Sequence, residues 1–295
     1  MVQLVPVQYH IRKYPEGIIP TIREVAAHFD KQSIDASGQY SLHTEYSYTA
    51  RDLDSQLIGN LSAIRGAQRR GIPTLWASDE WAVEFARFIE VLVGDGSAPR
   101  IIEIHPPFRF SIPTIKGFLE RFQIFDDIIS QRYPTTEILI ENRFGTQCAR
   151  GTFLISRISD LLELCALLDS SNLNLKVALD VPQLISAMGG ALTLNQARIE
   201  EIFNSLKLYR HYIIGIHIWG KRRTAGGNRA AHIGNLDTYF EGVNELKLAL
   251  LSALHNLFED GIKRYFVPEV NSTNSDLASI IQDMEAAGFQ FSGTF

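Results

Sequence analysis

Five residues with metal-type side chains each close a short apolar run. His105 follows Ile101-Ile-Glu-Ile, Glu141 ends Glu137-Ile-Leu-Ile-Glu, and Asp180 ends Lys176-Val-Ala-Leu-Asp. His217 follows Ile213-Ile-Gly-Ile, and Glu269 follows Tyr265-Phe-Val-Pro. Two or three carboxylates with an imidazole suit Mn²⁺, Mg²⁺, Co²⁺ or Zn²⁺, and Glu141, Asp180, His217 and Glu269 are the core of such a set. Around them stand further groups that bear on the same chemistry. His43 closes Tyr40-Ser-Leu, where it is either a ligand, a substrate contact or a hydrogen-bonded residue of the rim. His232 lies in a polar loop. Arg143 and Arg223 have the charge to hold a phosphate or carboxylate, or else pair with loop acids. Trp219 offers a ring on which a sugar or base stacks, or packs into the rim. His10, His28, His211 and His255 read as structural or surface residues.

Apolar runs of this length, each ending in a polar residue and followed by a helical period, read as buried parallel strands. Strand after strand presenting a polar residue from the same end is how a (β/α)8 barrel builds one site. Strand starts at Leu4, Tyr40, Pro73, Ile101, Glu137, Lys176, Ile213 and Tyr265 complete a TIM barrel that is irregular at its N-terminal strands. If Ile72–Trp76 is loop, Phe289–Phe295 supplies the eighth strand. Ile18–Phe29 carries helical spacing through Ile22, Val25 and Ala26. Ser78-Asp-Glu80 predicts a helix start, with Trp81, Phe85, Phe88, Ile89 and Leu92 on one face and Gly94 as the stop. Ser111 and Pro113 open the next helix, whose face is Ile115, Phe118, Leu119, Phe122, Phe125, Ile128 and Ile129. The competing architecture is an open doubly wound sheet, which would gather ligands only from strands near a switch point. No linker or low-complexity segment interrupts residues 1–295, so one domain is expected.

Composition narrows the class further. The chain is 45% hydrophobic, enough for a large core. Its formal charge of -5 gives no overall basic field for nucleic acid, although Lys221-Arg-Arg223 with Arg229 is a local basic stretch. Two cysteines, Cys148 in a polar loop and Cys165 on an apolar stripe, form no disulfide framework, so a reduced, cytoplasmic setting is expected. No apolar run approaches the ~18 residues of a membrane span, and Met1-Val-Gln-Leu-Val-Pro does not read as a signal peptide.

With these motifs in order, residues 38 to 287 resemble the xylose isomerase-like TIM barrel superfamily. The resemblance rests on Ser-Leu-His43, Ile-Glu-Ile-His105-Pro-Pro, Ile-Leu-Ile-Glu141-Asn, Ala-Leu-Asp180, Gly-Ile-His217, His232-Ile-Gly and Val-Pro-Glu269. It implies one of two activities. In the ketose 3-epimerase branch one metal is held by Glu141, Asp180, His217 and Glu269. That metal polarises a sugar carbonyl and hydroxyl, and the two glutamates move a proton through an enediolate. Arg223 matches an arginine that follows the loop histidine. This chain departs from the branch at Gln183, where a histidine is frequent, and no acid near Gln147 supports the first glutamate. In the endonuclease IV branch (AP endonuclease family 2) three zinc ions are bound. His43, His105 and a bridging Glu141 match the first sites and His232 the third, but Gln183 and Ala230 leave the third incomplete. The resemblance therefore implies a divalent-metal-dependent isomerase or epimerase of a sugar or sugar phosphate, using one or two ions. The alternatives are a metal-dependent phosphodiesterase, or a non-enzymatic member with a vestigial site. The resemblance leaves the oligomeric state open, a homo-oligomer being one option because exposed aromatic loops often pair in such barrels.

Overall fold

The computed structural model describes residues 1–53, 57–145 and 152–292. Its main sheet is built from β1 (Val2–Gln8), β2 (Ile22–Ala27), β3 (Tyr40–Thr44), β4 (Ile101–Ile104), β5 (Glu137–Glu141), β6 (Lys176–Asp180), β7 (Ile213–Ile218), β8 (Arg264–Pro268) and β9 (Phe289–Phe291). The first eight lie side by side in chain order, and β8 pairs with β1. The fold is therefore a closed, parallel (β/α)8 barrel, and the open doubly wound alternative is excluded. No helix separates β1 from β2 or β2 from β3, so the irregularity expected at the N-terminal strands is present. From β4 onward the strands are apolar on both faces, as a sheet covered by helices requires. Ile101, Ile102 and Ile104, with Ile138, Leu139 and Ile140, are all buried.

Two sequence expectations fail at the N-terminal edge. Ile18–Phe29 is not a helix, since Ile22–Ala27 is a strand whose register on β1 is Val7↔Ile22 and Gln8↔Arg23. Three apolar positions fit either period, and the polar Arg23 and Glu24 disguise a strand that is only partly buried. Consequently neither Ile72–Trp76 nor the C-terminal segment supplies the eighth barrel strand. Ile72–Pro73 instead pairs antiparallel with Gln68–Arg69 in a small ribbon. β9 is a ninth strand: Leu4 pairs with both Arg264 and Phe291, so β9 lies on the edge of β1 opposite β8. Residues 293–295 of the predicted C-terminal strand lie outside the described residues.

The chain divides into two compact units, residues 24–177 and residues 1–23 with 178–295. In the first, Ser78 caps the helix Asp79–Val93 by accepting from Trp81 N–H, as the sequence indicates. The next helix, Ile115–Arg132, is capped by Thr114, just beyond the expected Ser111–Pro113 start. Their apolar faces meet in an aromatic core. Trp76 and Trp81 lie 5.2 Å apart, Phe85 stacks on Phe125 at 5.0 Å, and Phe29 meets Phe88 edge-on at 5.3 Å. Contacts of this kind add to the area each ring buries. The indole of Trp76 also donates to the backbone carbonyl of His105 at 2.8 Å, tying this core to a strand end that carries chemistry. In the second unit the helices Gln196–Ser205, Asn244–Phe258 and Asn274–Ala286 supply Ile199, Phe203, Leu254, Leu257, Leu277 and Ile281 to the core. Cys165 is a buried free thiol as its apolar stripe predicts, while Cys148 falls outside the described residues. Among the described residues no helix is long and apolar enough to cross a membrane.

Candidate functional site

Strand register gathers the chemistry of residues 24–177. His43 of β3 lies opposite Glu103 of β4, which lies opposite Leu139 of β5. Ile104 lies opposite Ile140, so the next rung brings His105 beside Glu141. Alternate strand residues share a face, which puts Glu103 and His105 on one side with His43 and Glu141. All four are buried, and their ligand atoms lie within 4.8 Å of one another, close enough to hold a metal ion.

His105 is oriented by its surroundings. Its Nδ1 lies 3.1 Å from the carbonyl oxygen of Glu45, which only accepts, so Nδ1 carries the proton. Its Nε2 lies 2.9 Å from Glu141 Oε2. Burial pushes the imidazole down to about 4; Glu141 opposes this, and the charge on His43 adds to it. A neutral His105 protonated on Nδ1 has a lone pair on Nε2, which faces a carboxylate oxygen. A cation between the two would relieve that opposition, and a carbonyl-locked Nδ1–H is the usual support for a metal ligand. The Glu45 side chain fixes the same loop. It accepts from Tyr46 N–H at 3.0 Å, Ser47 N–H at 3.1 Å and Arg51 Nε at 2.8 Å.

His43 is the opposite case. Its Nδ1 lies 3.4 Å from Glu24 and 3.6 Å from Glu103. Burial works against its charge, but Glu24, then Glu103 and Glu141, raise it to about 10, so it is an imidazolium. His28 packs edge-on at 6.3 Å from His43 and at 4.9 Å from Tyr46. Burial, followed by the charges of His43 and Arg51, drives it down to about 2, so it stays neutral.

Residues 1–23 and 178–295 hold the other strand-end groups. Val267 lies opposite His217, and Glu269 N–H continues that ladder to the carbonyl of Ile218. Glu269 Oε1 lies 3.5 Å from His217 Nδ1, and Oε2 lies 3.3 Å from His232 Nδ1. Burial raises this carboxyl, but His232 and His217 outweigh it and hold Glu269 well below the usual range. Asp180 caps the helix Val181–Ala187 by accepting from Gln183 N–H at 2.9 Å. The Trp219 indole N–H reaches both Asp180 oxygens, at 3.1 and 3.0 Å. Trp219 is therefore a buried residue that orients Asp180, and its ring lies 4.5 Å from that of His232. Arg223 sits on the exposed ribbon Lys221–Arg223/Arg229–Ala231 and pairs with Glu241 at 2.9 Å. Ala230 belongs to the same ribbon. The basic stretch is also paired elsewhere, Arg222 with Asp276 at 2.9 Å and Arg229 with Glu241 at 3.4 Å. Gln147 lies outside the described residues.

The site thus contains Glu24, His28, Glu45, Arg51 and Glu103, which the sequence reading did not select. Glu103 had a signal: an acid two residues before His105 in an otherwise apolar strand must share its face. Glu24 was hidden by the mistaken helix.

No protein-family model matches this chain, and no curated protein matches it in sequence. In fold it is similar to xylose isomerase-like TIM barrel proteins. A D-tagatose 3-epimerase-like protein is 12% identical, with a TM-score of 0.41 over 96% of this chain and 95% of that one. A xylose isomerase-like TIM barrel protein from Mycobacterium smegmatis, in complex with magnesium, is 14% identical, with a TM-score of 0.42 over 84% and 71%. The D-psicose 3-epimerase of Clostridium cellulolyticum H10, with D-tagatose, is 10% identical, with a TM-score of 0.40 over 96% of both chains. The barrel here is established by its own strand order, and the reading of the site rests on its own residues.

Proposed function

We propose that the chain is a divalent-metal-dependent isomerase or epimerase acting on a sugar or sugar phosphate. The observation that carries this reading is the buried group of four potential ligands, His43, Glu103, His105 and Glu141, in which His105 Nε2 lies 2.9 Å from Glu141 Oε2. In this reading Glu141, Asp180, His217 and Glu269 are the principal ligands, and His105 and His232 are further imidazoles at the strand ends. When bound, the metal supplies Lewis acidity toward the sugar's carbonyl and hydroxyl oxygens. Glu141 and Glu269, on either face of the substrate, take up the carbon-bound proton and return one. Trp219 holds the Asp180 carboxylate in place, and the Glu45 carbonyl engages His105 Nδ1 and turns Nε2 toward Glu141. If His43 joins the ligands it must first lose its proton, and metal uptake would then release protons and strengthen as pH rises.

A second reading, a two-metal phosphodiesterase, draws on one specific observation. His43, Glu103, His105 and Glu141 form a metal-capable group without help from Asp180 or Glu269. Elemental analysis of purified, never-chelated protein tests both readings. One Mn, Co or Mg per chain is the expected result. Two or more Zn per chain would move phosphoester substrates to the front. No metal, with none taken up on titration, would overturn both.

The reading also takes residues 1–295 as one domain. A single cooperative transition with equal calorimetric and van't Hoff enthalpies is expected, and two separable transitions would refute it.

A further inference from the structure

We infer that the substrate carries an oxyanion, a carboxylate or phosphoryl group, and that Arg143 binds it. This narrows the substrate class of the proposed isomerase and rests on that reading. Arg143 stands two residues beyond Glu141, and its backbone is fixed on both sides. Its N–H donates to the carbonyl of Ile155 at 2.9 Å, and its carbonyl accepts from the Ser156 hydroxyl. The guanidinium carbon lies 4.9 Å from the centre of the Tyr46 ring and 5.7 Å from that of Phe153. The side chain is only 13% exposed. Aromatic packing and backbone anchors thus hold a cation rigidly where water barely reaches.

Among the described residues that cation is not fully satisfied. Its Nη1 lies 3.7 Å from Glu141 Oε1, beyond hydrogen-bond length, and its buried Nε has no acceptor among the described residues. The neighbouring arginines differ. Arg51 Nε is committed to Glu45 at 2.8 Å, and Arg109 to Asp160 at 2.6 Å and the Leu154 carbonyl at 2.9 Å. A desolvated guanidinium with open N–H groups is costly. A planar oxyanion fills those groups two at a time. The position next to Glu141 points the same way. If Glu141 binds a divalent ion, its single negative charge is shared between that ion and Arg143, and the excess positive charge favours a further anion nearby. A substrate oxyanion is such a group, and it would fix the sugar in register with the metal.

Isothermal titration of the metal-loaded full chain with inorganic phosphate and with acetate tests the inference, because both probes are small enough to act without a sugar. The metal also binds anions, so the readout is the difference between wild type and Arg143→Gln. At least one probe is expected to bind wild type about 10- to 100-fold more tightly than the variant. Arg143→Lys, which keeps the charge and loses the fork, should fall between them. Whichever of phosphate and acetate shows the difference identifies the group. Metal content should be at least that of wild type in Arg143→Gln, since removing a nearby cation does not weaken a carboxylate ligand, and unchanged in Arg143→Lys, which keeps the charge. Equal affinities in wild type, Arg143→Gln and Arg143→Lys, or no binding of either probe, would overturn the inference. Arg143-dependent anion binding without turnover of any sugar acid or sugar phosphate would sink the isomerase reading alone. Turnover of a neutral sugar with Arg143-independent binding would sink only this one.

Discussion

Glu269→Gln is expected to leave the barrel folded and to lower turnover of the sugar substrate by roughly 10²- to 10⁴-fold, the usual worth of a positioned acid–base group. Glutamine has nearly the same volume, and Glu269 is buried, so the packing of the β8 end is preserved. What changes is charge. The carboxylate lies between His217 Nδ1 at 3.5 Å and His232 Nδ1 at 3.3 Å, and no other carboxylate is paired with His232 among the described residues. A neutral amide neither binds a divalent ion as strongly nor takes up a proton. The variant should therefore lose metal affinity together with turnover. Steady-state kinetics at saturating metal separates the two effects. If excess metal restores wild-type kcat, Glu269 is a ligand and not a proton carrier. Turnover within about tenfold of wild type without added metal would remove Glu269 from the mechanism altogether.

The barrel and the polar residues at its strand ends were legible because burial on both faces leaves an unmistakable record. In Ile101–Ile104, Glu137–Glu141, Lys176–Asp180 and Ile213–Ile218 the apolar run ends where the side chains leave the core. The polar residue at that point stands out. β2 left no such record, because Glu24 serves His43 from within the strand and breaks the alternation that would have marked it. Loop geometry was illegible for a different reason. That Arg143 packs over Tyr46 and Phe153, or that His232 reaches Glu269, depends on segments far apart in sequence. No local period encodes such contacts. Of the two sequence readings of Trp219, a ring to stack on or a packed rim aromatic, burial favours the second, and its N–H is turned inward onto Asp180, a contact no local pattern encodes.

Arg264→Met should destabilise the fold by about 3–5 kcal/mol, the cost of leaving a buried charge without its partner. For a chain of this size that lowers the melting temperature by on the order of 10 °C. Its type suggests a surface residue just before a strand; in the structure it opens β8 and is fully buried. Its five N–H donors are spent on named acceptors. Nε donates to the Ile213 carbonyl at 2.7 Å. Nη1 donates to Asp260 Oδ1 at 2.9 Å and the Ile262 carbonyl at 3.0 Å. Nη2 donates to Asp260 Oδ2 at 2.7 Å and the Arg210 carbonyl at 3.0 Å. The guanidinium also lies 4.3 Å from the Phe258 ring centre. Methionine fills much of the volume and satisfies none of these acceptors, and Asp260 keeps only the Ile262 N–H at 3.0 Å and the more distant Arg210 at 3.5 Å. The sign of the pH dependence follows. Burial raises the Asp260 carboxyl, but Arg264 outweighs it and holds the group below the usual range. A depressed carboxyl stabilises the fold above its unfolded value of about 3.9 and stops doing so as pH falls through its folded value. The gap between wild type and Arg264→Met should accordingly be widest near neutrality and narrow below about pH 4. Adding Asp260→Asn to Arg264→Met should recover part of the loss, since the stranded charge is removed. Urea unfolding at pH 7 and pH 3.5 measures all of this. A gap that does not change with pH, with no recovery in the double variant, would mean that Arg264 acts through packing alone.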